Sequence, residues 1–366
     1  MRHLSDLVSL SVLLLAAGAG CSRAQAAAAE PLGEADAPLC AADVGTATGP
    51  RLDPSTRAFV DALAARGLPP LYTLPAADAR NALKHLQQAY APASAIPADI
   101  QDEVLPVGPH GSVPIRIVRP QGAAATLPVV MYFHGGGWIL GDETTHDRLI
   151  RALANFAEAA VVFVKYTPSP EAQYPVPLQE AYAATRYIAE NGAHYGLDGT
   201  HLAVAGDSVG GNMATLVAIL AKQRGGPTIR LQALAYPVTD ACFDDASYQQ
   251  FAEGPWLTRK TMQWFFDAYA PDAATRELPS ISPLRASLTD LSGLPPALVI
   301  TGENDVLRDQ GEAYAHRLMD AGVYVQSARY LGAIHDFLML NALADTGASR
   351  SATALMGLTL HDVLSR

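Results

Sequence analysis

Uninterrupted apolar runs alternating with helical-period segments constrain this chain more than any other feature. The runs are PVVMYF (128–133), AVVFVKY (160–166), HLAVAG (201–206), LQALAYP (231–237) and PALVITG (296–302). Between them lie segments whose apolar residues recur every three or four positions, as Leu149, Ile150, Leu153 and Phe156 do in HDRLIRALANFAEA (146–159). LQEAYAATRYIAENG (178–192), GNMATLVAILAKQRGG (211–226) and RDQGEAYAHRLMDAG (308–322) read as further helices. A strand apolar on both faces must be covered on both faces, and the intervening helices are the covers. The order predicts an α/β chain with a mostly parallel central sheet and helices on both sides. VQSARYL (325–331) reads as a last strand before a C-terminal helix, and EVLPV (103–107) with VPIRIVRP (113–120) as an earlier pair joined by a Gly-containing turn.

Two regions break the rhythm. Asp53-Pro54 reads as an N-cap and first-turn proline. The helix behind it carries Phe59, Val60 and Leu63 and stops at Gly67; a second helix follows with Leu83, Leu86 and Tyr90. Residues 240–283 form an aromatic-rich insertion with Trp256, Trp264, Phe265, Phe266 and Tyr269. Both regions, about 53–95 and 240–283, are expected to form a helical cap over one end of the sheet, with Trp256 and Trp138 in the wall of an apolar pocket.

The first 50 residues read differently. Arg2 and His3 precede an apolar run from Leu7 to Ala19, too short for a bilayer span of roughly 20 residues. It reads as a signal peptide over 1–26, with Ala24-Gln25-Ala26 as the cleavage site and 27–50 as a tail. The expected location is therefore outside the cytoplasm, periplasmic or secreted. Gly18-Ala19-Gly20-Cys21 resembles a lipoprotein signal and ranks second, since the usual aliphatic residue three before the cysteine is missing; only lipid on Cys21 would bring the chain to a membrane. Cys40 and Cys242 could then pair in an oxidising compartment.

The chemistry is signalled by LAVAGDSVGGN (202–212), where Gly206-Asp207-Ser208-Val209-Gly210 fits G-x-S-x-G between a strand and a helix. A serine on such a turn projects its hydroxyl beyond the sheet edge. The residues two before and two after it crowd each other, so glycine suits both places. The following helix aims its first N–H groups at the serine, where negative charge would develop. A serine hydroxyl needs a base, and the base needs a group to orient it. In the strand order expected here the acid comes next and the histidine last. His335, after the last strand, is the base, because His316 and His361 lie in helical patterns and His194 and His201 precede the serine. Glu303, Asp305 and Asp309 all follow one strand, and spacing leaves the acid open among them. A separate question is why the strand PVVMYF ends in His134 and three consecutive glycines before Trp138, since glycine loses more backbone entropy on folding than any other residue.

The motifs HGGGW, YTPSPEAQYP, GDSVGGN, ENDVLRD and GAIHDF, in this order, resemble those of the hormone-sensitive-lipase-like branch of the α/β-hydrolases, the family IV esterases. The resemblance spans about Asp53 to the C-terminus and implies the α/β-hydrolase fold. It places the catalytic positions on Ser208, Asp305 and His335. It also implies that the N–H groups of Gly136, Gly137 and Val209 form an oxyanion hole, which answers the glycine question: a backbone without side chains can approach the reacting carbonyl. His134, Gly135, Asp207 and Glu171 belong to the supporting motifs. The chain departs from the family pattern at Val209 (usually Ala), Val306 (commonly Pro), Ala172 (usually His) and Asp336 (commonly Gly).

A formal net charge of −11 argues against a nucleic-acid partner, which requires clustered Lys and Arg. No cysteine spacing resembles a metal site, and neither metal nor organic cofactor is implied. The expectation is a serine carboxylesterase for short- to medium-chain esters of small molecules, working through an acyl-enzyme. An amidase or lactonase on the same residues is the alternative reaction. A non-catalytic small-molecule receptor is the alternative class, disfavoured by the presence of His335.

Overall fold

A computed structural model describes residues 49–123 and 125–366. The expected signal segment, Cys21 and Cys40 lie outside the described residues. Cys242 is exposed.

Eight strands form one sheet: β1 (Ala98–Leu105), β2 (Val113–Pro120), β3 (Leu127–Phe133), β4 (Ala160–Val164), β5 (Leu197–Asp207), β6 (Gln232–Ala235), β7 (Ala297–Asn304) and β8 (Val325–Ile334). Their spatial order is β1-β2-β4-β3-β5-β6-β7-β8. The β1–β2 and β2–β4 pairs are antiparallel, and every other pair is parallel. The central strands β4 and β6 are buried along their whole length, as continuous apolar runs require.

Eleven described helices flank or cap the sheet. They are α1 (Pro54–Ala65), α2 (Ala76–Ala89), α3 (Asp147–Ala157), α4 (Val176–Asn191), α5 (Val209–Gln223), α6 (Ala246–Gln250), α7 (Arg259–Tyr269), α8 (Ala273–Arg276), α9 (Leu288–Leu291), α10 (Arg308–Asp320) and α11 (Gly347–Leu364). Helices α3 and α11 pack on each other and on the sheet; α4 and α5 do the same, with α10 beside them against β7. The parallel strands thus carry helices on both faces. The Asp53 cap forms as expected: its side chain accepts from the backbone N–H of Ser55 and Thr56 at 3.0 and 3.1 Å.

The first strand begins five residues earlier than its apolar signal, at Ala98 rather than Glu103. It is an edge strand whose first residues, Asp99, Gln101 and Asp102 among them, face solvent, so no hydrophobic pattern marked it. The last strand likewise runs on to Ile334 and delivers the chain directly to His335.

The insertion folds as α6, α7 and α8. Met262, Phe265, Phe266 and Tyr269 of α7 are buried. Trp256, just before α7, meets Phe59 of α1 with ring centroids 5.9 Å apart, and Phe59 meets Tyr90 at 6.0 Å. The two segments outside the alternation therefore touch each other through aromatic rings.

Candidate active site

Strand β5 ends at Asp207 and α5 begins at Val209, leaving Ser208 as the whole of the turn. Its backbone sits at φ 56°, ψ −121°, a region costly for a residue with a side chain, on the order of 1–3 kcal/mol. The surroundings hold it there. Ser208 N–H donates to the Ala235 carbonyl at 2.9 Å, and the Ser208 carbonyl accepts from Val238 and Asn212 N–H at 3.1 and 3.2 Å. The flanking glycines have the steric role read from the sequence: a Cβ on Gly206 would overlap the backbone of Gly210, and one on Gly210 would overlap the Phe133 carbonyl. Ser208 stands at the first turn of α5, where N–H groups such as that of Val209 have no intrahelical acceptor.

The C-terminal ends of β7 and β8 bring the other two groups to the same place. Ser208 Oγ lies 3.0 Å from His335 Nε2, and His335 Nδ1 lies 2.6 Å from Asp305 Oδ2. The second Asp305 oxygen accepts from the Leu307 N–H at 2.9 Å, which fixes the carboxylate plane. Of the three carboxylates left open by spacing, only Asp305 reaches the imidazole. Glu303 instead accepts from the Gly332 N–H, and Asp309 from the Ser247 N–H. Burial alone would lower the pKa of His335; the Asp305 and Asp336 carboxylates outweigh it and hold the imidazolium at about 9. Only the neutral form can take a proton, and its share grows as pH rises toward that value.

Asp336, a departure from the family pattern expected to bear on pocket shape, lies against the base itself. Its Oδ1 lies 3.4 Å from His335 Nε2, the nitrogen that faces Ser208, while its Oδ2 accepts from the Trp256 indole N–H at 2.9 Å. Burial pushes its carboxyl above the usual range, against the pull of His335 and the Trp256 hydrogen bond.

The glycine loop leaves the end of β3 beside this cluster. Gly136 has φ 99°, and a Cβ there would come within 2.5 Å of the Leu140 carbonyl oxygen; a Cβ on Gly137 would overlap the Phe265 ring. The loop closes on itself through Leu140 N–H to the Gly136 carbonyl at 2.7 Å. It is tied to the nucleophile turn by Asp207, whose Oδ1 accepts from the Gly135 N–H at 3.0 Å and from the Tyr132 hydroxyl at 2.6 Å. Asp207 Oδ2 lies 3.3 Å from His146 Nε2. Burial opposes charge on both members of that pair. Their mutual attraction wins, so the Asp207 pKa falls and the His146 pKa rises. His134 is stacked between Phe163 and Tyr166, with centroids 5.1 and 4.2 Å away, and its Nδ1–H donates to the Gly135 carbonyl at 2.8 Å. Burial and the nearby His146 lower its pKa to about 4, so it is neutral and serves as a rigid spacer.

The remaining expected residues fall in two groups. Glu171 pairs with Arg80 of α2 at 2.6 Å, and the same guanidinium donates to the carbonyls of Ile139 and Ser169; the motif thus pins the cap helix to the glycine loop. Trp256 reaches the site through Asp336. Trp138, expected in the pocket wall, is instead completely buried and stacks on Tyr269 at 4.0 Å, edge-on to Phe266. Its ring packs the glycine loop against α7. Phe265, read only as one of the cap aromatics, holds the place by the loop instead. Sequence reasoning also missed Gln87, which is buried and donates to the carbonyls of Thr145 and Met339 while accepting from Asn341 N–H. A glutamine on the apolar face of α2, beside Leu83, was the available signal. His146 and Tyr132 gave none, because their partner Asp207 lies far away in the chain.

Among the described residues no group of three or more His, Cys, Asp or Glu side chains is arranged to hold a metal ion.

A family model described as "alpha/beta hydrolase fold" matches residues 130–339. Carboxylesterase NlhH of Mycobacterium tuberculosis is 36% identical over 319 residues, covering 86% of this chain and 97% of the relative. An ethyl acetate hydrolase of Pseudomonas putida is 37% identical over 292 residues, covering 78% and 91%. The crystal structure of a thermostable esterase from Pseudomonas putida ECU1011 superposes with a TM-score of 0.84 at 48% identity, covering 86% of this chain and 98% of that one. With these matches over most of its length, the eight-stranded sheet and the serine turn at its edge, the chain belongs to the hormone-sensitive-lipase-like esterases of the α/β-hydrolase family and is a carboxylic ester hydrolase.

Proposed function

We propose that the chain hydrolyses short- to medium-chain carboxylic esters through an acyl-enzyme on Ser208. Neutral His335 takes the Ser208 proton as Oγ attacks the ester carbonyl, then passes it to the leaving alcohol. Asp305 holds the imidazole by Nδ1 and stabilises the imidazolium that forms. The N–H groups of Gly136, Gly137 and Val209 receive the negative charge on the carbonyl oxygen. The observation that carries this reading is the continuous contact from Ser208 Oγ through His335 to Asp305, at 3.0 and 2.6 Å.

The acyl range rests on the enclosure. Ser208 is only 3% exposed, and of the aromatics in the two segments read as a cap, Trp256 bonds to Asp336 beside His335 and Phe265 lies against Gly137. A relative named for ethyl acetate is consistent with a short acyl group. Turnover of 4-nitrophenyl esters from acetate to palmitate tests both parts. Activity should peak at short to medium chains and fall by at least about 10⁴-fold in Ser208→Ala, in keeping with the loss of a nucleophile. A maximum at palmitate would overturn the acyl range; full activity in Ser208→Ala would overturn the mechanism.

The proposal extends to location. The apolar run from Leu7 to Ala19 supports export with removal of residues 1–26. Intact mass of the protein from its native host should show that loss, and a full-length cytoplasmic product would contradict it.

A further inference from the structure

A buried carboxylate oxygen that makes no hydrogen bond calls for an explanation, since buried polar atoms are nearly always hydrogen-bonded. Among the described residues Asp336 Oδ1 is the one carboxylate oxygen in that condition. It is also 3.4 Å from His335 Nε2, the nitrogen that moves the proton in the proposed reaction. The other oxygen, Oδ2, is committed to the Trp256 indole N–H, so the carboxylate cannot rotate freely away. The residue holds φ 63°, a left-handed conformation that aspartate tolerates better than most residues with a side chain. A left-handed backbone and a buried acceptor that makes no hydrogen bond, both beside the reacting nitrogen, single out this group.

The second half of the proposed reaction lacks one part. After the alcohol leaves, water must attack the acyl group on Ser208 from the side of His335 Nε2. One of its O–H bonds points to Nε2, which takes that proton. The other needs an acceptor if the water is to be held in a single orientation. Asp305 cannot supply it, because it lies on the Nδ1 side of the ring.

We propose that Asp336 is a further catalytic residue: its Oδ1 accepts a hydrogen bond from the hydrolytic water and orients that water for attack on the acyl-enzyme. The inference rests on the acyl-enzyme reading above. In the step, the water oxygen forms a bond to the acyl carbon while Nε2 takes one water proton. The tetrahedral intermediate then collapses, the bond from the acyl carbon to Ser208 Oγ breaks, and Oγ recovers the proton from Nε2. The carboxylic acid is released. Asp336 keeps its hydrogen bond throughout and gains no proton.

Methanol distinguishes this role from a structural one. Its single O–H goes to Nε2, and it has no second hydrogen for Asp336 to hold. Transfer of the acyl group to methanol should therefore be far less sensitive to Asp336 than hydrolysis. In Asp336→Asn the Trp256 N–H requires the amide oxygen at the Oδ2 place, so the NH₂ group occupies the Oδ1 place and offers a donor where an acceptor is needed. Asp336→Gly, compatible with φ 63°, removes the group altogether and serves if the asparagine variant does not fold.

The measurement is the ratio of methyl acetate to acetate formed in aqueous methanol from 4-nitrophenyl, phenyl and ethyl acetate, with folding checked by circular dichroism. In the native enzyme the ratio should be the same for all three esters, as a common acyl-enzyme demands; a ratio that varies with the leaving group would defeat the acyl-enzyme reading itself. In a folded Asp336 variant the ratio should rise about tenfold or more, the loss expected for one hydrogen bond to a charged group. A common ratio that stays at the native value in the folded variant would overturn the role of Asp336 while leaving the acyl-enzyme intact.

Discussion

Ser208, His335 and Asp305 are ordinary residues given unusual properties by their neighbours. The hydroxyl is held out of the sheet by a strained turn, and the imidazole is held between carboxylates on both sides. Asp305 at Nδ1, Asp336 at Nε2 and the more distant Asp207 favour the imidazolium against burial, with a balance near 9. The sign for activity follows. His335 must be neutral to accept the serine proton, so kcat/KM should rise with pH and level off only above about 9, well beyond the roughly 6.5 of a free imidazole. Removing the Asp336 charge as Asp336→Asn should move the inflection to lower pH. A pH profile of kcat/KM on a 4-nitrophenyl ester checks both. An inflection near 6.5 in the native enzyme, unmoved by the substitution, would show that the carboxylates do not govern the base.

At the scale of elements, each side chain of the proposed triad sits just past the C-terminal end of a parallel strand: Ser208 after β5, Asp305 after β7, His335 after β8. The glycine loop after β3 completes the ring. It has little freedom, because Asp207 grips Gly135 and the Leu140 backbone crowds Gly136. Gly136→Ala should therefore displace the loop rather than add a methyl group to empty space. The expected outcome is a kcat lower by about 10²–10³ with a much smaller change in KM, measured beside thermal unfolding. A near-normal kcat in the folded variant would place the oxyanion donors elsewhere.

These elements differ in how legible they were. The buried strands and the serine turn were plain in the sequence, because a continuous apolar run between amphipathic helices has few other readings. The start of β1 was not, since an exposed edge strand carries polar residues on both faces. The acid illustrates a different limit: Glu303 near the end of β7 and Asp305 and Asp309 just after it lie within a few residues, and only the backbone path decides which one meets His335. Asp207, His146 and Tyr132 show the limit at its strongest. Their contacts join residues 61 and 75 positions apart, and no local pattern records such pairing.

Over the whole molecule, one sheet edge gathers the chemistry and two separate segments cover it. Helix α2 binds the glycine loop through Arg80 and the His335 loop through Gln87; Trp256 joins the insertion to Asp336 and to Phe59 of α1. These segments are thus hydrogen-bonded to the loops that carry the candidate site. The break in rhythm that sets these segments apart was legible in the sequence. That the Trp138 ring packs on Tyr269 and that Phe265 lies against Gly137 was not, since composition does not show which face of an aromatic ring is filled.

The account depends on a covalent intermediate at one residue. Acid quenching during turnover of 4-nitrophenyl acetate, followed by peptide mass analysis, tests it most directly. The account predicts one acetyl group per chain on the peptide containing Ser208, absent in Ser208→Ala. Steady turnover with no acetyl group on that peptide, or with the acetyl group on another residue, would contradict it.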